Sequence, residues 1–559
     1  MPRLSRREPA ALAVVVTLLF LSGCAGFRDY VHRGFKVGPD YGGAAASVAS
    51  HWIDQGDRVR AEPANLYRWW FIFNDPVLDG LVESARRQNL TFREAGLRVL
   101  AARAELAISR GNLFPQQQNA AGSYRHQESS LNPPTDAPAV DRLFDQWNLG
   151  FNLSWELDFW GRFRRSVAAA ENTLEASVAD YDQALVTLLG DVATNYTQVR
   201  TDQERIKLLR ANVKVQEDVL NFLETRARLG FRTTDLDVAQ ARSNLKQTVA
   251  AFPALEIDLR QATNRLCTLL GQPPMALAEQ LGQRDIPAAP ADVVVGIPAD
   301  LLRRRPDLRS AERQAAAQAE QIGISQADFY PIVTISVTLG YQAREFSHLF
   351  STQAFTASTG PSFQWNILNY GRIANNVRLQ DARFQQLLVA YQNAVLQAAA
   401  EVEDGLVTFL QAQERTRRLA ESVDAAKLAR DIAFAQYEKS VAGVGNSDFN
   451  RYAVLEQNRI VQQDLWAQAR GQIAQGLIQV YRALGGGWEI RHEPPTRVPG
   501  VGTAPVDGVV PRTSPERPLP IVPAPLPVDN PPAPPAAGPA AATPQGTPIA
   551  AEPKRAPAR

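Results

Sequence analysis

The sequence predicts an α+β membrane protein in which a few transmembrane β-strands run straight into very long coiled-coil helices. Three observations carry that expectation. Two stretches, 148–157 and 333–341, alternate large apolar residues with small or polar ones, as a strand does between lipid and water. Val178, Leu185, Val192, Val199, Ile206, Val213 and Leu220 recur every seven residues, the period of coiled-coil packing. Arg3, Arg6 and Arg7 precede an apolar run ending at Cys24, too short for a stable membrane span, which reads as an export signal.

Bulk composition removes several functions. The 559 residues carry 59 Lys and Arg against 58 Asp and Glu, so no overall charge draws the chain to nucleic acid. Two cysteines exclude a disulfide scaffold, and five scattered histidines have no metal-ligand spacing. No nucleophile–base constellation argues for catalysis, so no enzyme activity, cofactor or metal is expected. "GVGNSD" (443–448) lacks the preceding strand of a phosphate loop. The basic run at 303–305 reads as a solvated or subunit-facing patch.

The elements follow in order. Residues 1–23 form the signal, and Leu21-Ser22-Gly23-Cys24 resembles a bacterial lipobox, which makes Cys24 the lipidation candidate. Two or three acyl chains anchor a protein stably, at about 0.8 kcal/mol per buried CH₂. Ala25 after the cysteine, in place of aspartate, resembles lipoproteins sorted to the outer membrane. Residues 24–65 are Gly/Ala-rich and expected to be irregular. A first repeat spans 66–281: helices starting at Asp75-Pro76, a β-hairpin over 116–158, and long helices over 161–228 and 234–271, with Pro253 expected to kink the second. A second repeat spans 282–490: a hairpin over 332–367, where Pro361 suggests a bulge or bend, and long helices over 371–441 and 447–485. Residues 491–559 form a Pro/Ala-rich tail expected to be extended or disordered.

The halves are related by duplication. Trp155 aligns with Trp365, Gly161-Arg162 with Gly371-Arg372, Tyr181 with Tyr391, and "QER" at 203–205 with "QER" at 413–415, all 210 residues apart. "LFP" (113–115) pairs with "FYP" (329–331) at a slightly different offset. Each half thus supplies two strands, and four strands do not close a barrel. An open edge in lipid leaves backbone groups unpaired at several kcal/mol each, so the chain must oligomerise. Gly161 and Gly371 mark where the barrel wall becomes a helical tube, and the whole reads as a conduit.

"FKVGPDY" (35–41), "WWFIFNDPVLDGLV" (69–82), "IPADLLRRRPDLRSAERQAAAQAEQIGISQADFYP" (297–331) and "VYRALGGGW" (480–488) resemble segments of the TolC family of outer-membrane factors. The likeness is to its lipidated, OprM-like branch. That resemblance implies a homotrimer sharing a twelve-stranded barrel, with a twelve-helix periplasmic tunnel and an equatorial belt. It implies a non-catalytic exit duct for solutes, working with a periplasmic membrane-fusion adaptor and an inner-membrane RND transporter. It also implies a constriction at the periplasmic tip. The matching stretch, 447–459, is about two residues out of register with the family pattern, so the gate neighbourhood is Asp448, Asn450, Arg451, Tyr452, Glu456 and Arg459. Glu456 and Arg459 lead, three apart on one helical face. Gly230, Thr234, Gly443 and Ser447 at the helical tips are the adaptor-contacting candidates. The alternatives are a type I protein-secretion channel and a non-conducting, lipid-anchored coiled-coil spacer.

Overall fold

A computed structural model describes residues 30–492, except 57, 63–64, 129–142, 232 and 442–447. The signal, Cys24, Gly443, Ser447 and the tail from 493 onward lie outside the described residues. Helix α1 (Pro76–Gln88) starts where the Asp75 carboxylate accepts from the Val77 amide, with proline at the first turn. Helix α2 (Leu90–Gly111) follows, capped by Asn89. Strands β1 (Gln117–Glu128) and β2 (Leu143–Leu157) lead into α3 (Arg162–Arg228), 67 residues and about 100 Å long at 1.5 Å per residue. A short turn over residues 158–161 makes the changeover, ending at Gly161 with φ 81°, where a side chain would also strike Lys36.

The chain returns as α4 (Asp235–Val249) and α5 (Phe252–Leu269). This corrects the single helix expected over 234–271. Pro253 lacks an amide hydrogen and its ring clashes with the preceding turn, so a second helix starts around it. The second repeat comprises α6 (Pro306–Ala327), β3 (Ile332–Ala343), β4 (Phe355–Gln364), α7 (Arg372–Val441) and α8 (Phe449–Ala483). The 24–65 stretch is not wholly irregular, since Val59–Arg60 pairs in parallel with Val293–Val294.

The four long strands form one antiparallel sheet in the order β1-β2-β3-β4, with β1 and β4 at its edges. Register aligns the apolar residues: Leu149 opposite Tyr341, Phe151 opposite Leu339, Leu153 opposite Val337 and Trp155 opposite Ile335. The other face carries Asn119, Asn152, Thr338 and Ser358 side by side. Pro361 sits in unbroken register opposite Ile335, so the expected bulge is absent; an edge strand tolerates the missing donor. Trp365 lies just past β4, its indole donating to the Phe329 carbonyl at 2.9 Å.

Aromatic side chains gather at both ends of the sheet. Trp147 packs against Tyr124 and Phe346 at one end, with centroids 4.5 and 5.1 Å away. Trp160 stacks on Tyr330 at 4.4 Å beyond the other. Trp147 and Trp155 are eight positions apart on β2, roughly 27 Å of strand, which at barrel tilt approaches the height of a membrane band.

The N-terminal segment is strapped to this junction. Arg165 is fully buried, and its guanidinium donates to the carbonyls of Val37 (2.5 Å) and Gly38 (2.8 Å) and to Glu320 (2.7 Å). Arg164 donates to the carbonyls of Gly34 and Phe35. Gly323 leaves the space that Arg165 fills. Lower down, α7 and α8 pack backbone to backbone: a Cβ at Gly476 would stand 2.8 Å from the Phe409 amide nitrogen. Trp69 stacks on Tyr481 at 5.5 Å and belongs to the main core.

At Arg305 the structure departs from the reading of the basic run as a solvated or subunit-facing patch. Arg305 is buried, binding Asp307 and Glu401 (each 2.7 Å) and the Ala483 carbonyl at the end of α8 (2.8 Å). Beyond α8 a short turn of helix, Trp488–His492, latches back onto α3 through Arg491, which donates to Asp182 at 2.6 Å. Burial pushes the Asp182 carboxyl up to about 6, against the pull of Arg491 and Arg309. Its pKa in the fold lies above the ordinary 3.8, so its contribution to stability is full below that value and is lost as pH rises through about 6. Asp182→Asn is expected to flatten the pH dependence of the thermal midpoint across this window, checked by melting the wild type and variant in parallel.

Candidate functional site at the helix tips

The α8 helix begins at Asp448, whose carboxylate accepts from the Asn450 amide at 3.1 Å. The Asn450 side chain accepts from Gln240 of α4 at 3.0 Å, and Arg451 is exposed. Tyr452 turns inward instead, into an apolar cluster with Leu223, Ala241, Tyr437 and Phe449. Burial, then the neighbouring Glu456, raises the Tyr452 hydroxyl well above the usual phenol range.

Glu456 and Arg459 are 2% and 4% exposed, and they pair through two hydrogen bonds of 2.9 and 2.7 Å. Arg459 also donates to Asn212 of α3 (2.9 Å) and Gln463 (2.8 Å). The Arg430 guanidinium of α7 stands 3.3 Å from the Glu456 carboxylate. The pair therefore ties α8 to α3 and α7 inside one chain. Beside it lies a cavity of about 10 Å³, room for roughly one water, lined by Gln216, Asn244, Tyr452 and Glu456 among others.

The sequence reading missed Asn212, Gln216 and Arg430. A signal existed for the first two: Leu209, Asn212, Gln216 and Leu223 lie on one buried heptad seam of α3, which two amides interrupt. A polar residue on such a seam fixes register at some cost in stability. At the first tip, Gly230 adopts φ 77° in open space. Thr234 forms a capping box with Asp237, which also accepts from the Tyr437 hydroxyl at 3.2 Å. Among the described residues no group of three or more His, Cys, Asp or Glu is placed to hold a metal.

A sheet with one aliphatic face, aromatic rims and two open edges, continuous with helices on the order of 100 Å long, defines a membrane-channel protein. The family model for outer membrane efflux proteins matches residues 81–272 and 297–486, and the chain belongs to that family. It is 30% identical to the pyoverdine export outer membrane protein OpmQ of Pseudomonas putida, over 77% of this chain and 90% of that protein. It is 27% identical to nodulation protein T of Rhizobium leguminosarum bv. trifolii, over 76% and 87% respectively. Among solved structures, the outer-membrane channel OprN superposes with a TM-score of 0.73 at 32% identity, over 81% of this chain and 99% of that one.

Removing Glu456 alone leaves the Arg459 and Arg430 cations facing each other in a buried site, a change that costs about 3–5 kcal/mol in such pairs. Glu456→Ala is therefore expected to lose more stability than Glu456→Met/Arg459→Met, measured as hydrogen-exchange protection of the tip helices.

Proposed function

We propose that this chain is the outer-membrane exit duct of a tripartite efflux system, passing small molecules outward without catalysing anything. The observation that carries the reading is the sheet, apolar on one face and open at both edges, that leads through short connections into paired long helices. Three copies sharing a twelve-stranded barrel and a twelve-helix tunnel would close those edges. An inner-membrane RND transporter and a periplasmic adaptor would supply energy and opening. The adaptor would meet the tips at Gly230, Thr234, Gly443 and Ser447. Asp448, Asn450, Arg451, Tyr452, Glu456 and Arg459 form the gate neighbourhood, with the Glu456–Arg459 pair holding α8 against its neighbours in the resting state.

The mature protein in planar bilayers is expected to give small, rarely open currents that grow in Glu456→Ala/Arg459→Ala. Steady currents unchanged by that variant would move the gate elsewhere, and no current from inserted protein would favour the non-conducting spacer. Cys24 anchors the mature N-terminus through acyl chains, six residues ahead of Tyr30 at the membrane junction. Mass spectrometry of the purified protein is expected to find an N-terminal peptide starting at acylated Cys24, and Cys24→Ser to abolish it.

A further inference from the structure

The charges of the sheet are sorted between its two faces. The four strands carry four charged residues, Arg125, Glu128, Asp145 and Glu156, together with His126. Successive side chains on a strand point to opposite faces, and residues directly opposite on a neighbouring strand share a face. Register therefore puts Glu128, Asp145 and His126 on the aliphatic face with Leu149: Gly122 lies opposite Leu149, His126 opposite Asp145 and Glu128 opposite Leu143. There Asp145 accepts from the Tyr124 hydroxyl at 3.0 Å and stands 2.6 Å from a His126 ring nitrogen. Arg125 and Glu156 fall on the polar face, with Asn152 and Thr338.

These two lie at opposite ends of that face. Glu156 is at the helix end, where the Arg162 guanidinium is 3.5 Å from its carboxylate. Arg125 is at the far end, exposed, with Gln146 directly opposite. Its next neighbours on the face are Ser123, Gln127 and Asn148, also uncharged. A further copy brings no acid either, because β4, which forms the other edge, reads "FTASTGPSFQ" with no charged residue. Between the two ends the face carries amides, hydroxyls and small residues, as at Asn119, Gly150 and Ser358.

A charge on a wall facing water keeps its field unless a counter-charge stands beside it, and at 0.1 M salt that field reaches about 10 Å. One position further along β2, Asp145 would have faced Arg125 and cancelled it; strand alternation turns it to the outside instead.

We propose that Arg125 sets the charge preference of the duct. One guanidinium per copy makes a cationic ring at the outer mouth, of the kind that selects anions in pores. The other lumenal charge of the strands, Glu156, has its own arginine. The ring eases the exit of anionic solutes and opposes the entry of cations from outside. This rests on the reading of the chain as an oligomeric duct.

The test probes the potential beside the ring from outside, where the state of the periplasmic tip does not matter. Ser123→Cys lies two positions from Arg125, about 7 Å along β1. In the full-length protein in intact cells, its rates of reaction with an anionic and a cationic methanethiosulfonate are compared, each divided by the rate for a free thiol. Cys267 is buried and serves as the silent background. The anionic reagent is expected to be favoured roughly three- to tenfold at low salt, and less at high salt. Adding Arg125→Gln is expected to remove the preference, and Arg125→Glu to reverse it. Asn148→Cys, across the strand pair, repeats the measurement should the first site perturb folding. The same ratio with and without Arg125→Glu would assign the potential to loop charges and overturn the proposal, leaving the duct standing. Thiols at both positions that resist both reagents and a small neutral one, in folded and inserted protein, would show no water-filled lumen and remove the duct as well.

Discussion

A β-edge in hydrocarbon must be paired. Each unpaired amide or carbonyl there costs several kcal/mol, and strands β1 and β4 end the sheet with no partner strand on their outer edges among the described residues. That constraint orders everything else. In the proposed duct further copies close the wall, and a closed wall has an inside and an outside. The strict alternation of Leu149, Phe151, Leu153 and Trp155 with Asn148, Asn152 and Ser154 then follows from the two solvents it separates.

The changeover from strand to helix is where backbone pairing switches from inter-strand to intrahelical hydrogen bonds. In the first repeat this point is reinforced from outside the repeat. Arg165, wholly buried, turns its donors to the carbonyls of the N-terminal segment and to Glu320, so the segment, α3 and α6 are held by one guanidinium. Ala374 and Asn375 stand where Arg164 and Arg165 would be in the second repeat. The duplication is therefore not symmetric at the junction: there is one N-terminus per chain, and only one junction has been adapted to receive it.

Much of the architecture was legible because its signals are local. Strand alternation has period two, the coiled coil has period seven, and Glu456 and Arg459 are close enough in sequence for a shared helical face to suggest their pairing. What escaped the sequence is what long separations bring together. Arg165 meets Val37 and Glu320 across 128 and 155 residues, and Arg459 meets Asn212 across 247. Arg305 looked like part of a solvated basic run because nothing nearby announces that the end of α8, 178 residues on, supplies a carbonyl to it. Pro361 and Pro253 were both visible as breakers. Their outcomes differed because one lies on an edge strand, which spares the missing amide, and the other in a helix, which does not.

The buried polar cluster at the tip limits how α8 can move. Its carboxylate and guanidinium are satisfied by three helices at once, so sliding α8 alone strands charges in a site that is otherwise Tyr452, Phe449 and Leu223. Moving α7 and α8 as a unit preserves the Arg430 contact but breaks the reach to Asn212 and Arg205 on α3 and the Gln240–Asn450 and Tyr437–Asp237 hydrogen bonds to α4. The glycine contact that brings α8 against the backbone of Phe409 on α7 strengthens that unit from the other end. The tip is therefore held at several points at once: any swing of the α7–α8 pair away from α3 and α4 must release these hydrogen bonds together and expose the packing of Phe449 and Tyr452 on Leu223 and Ala241.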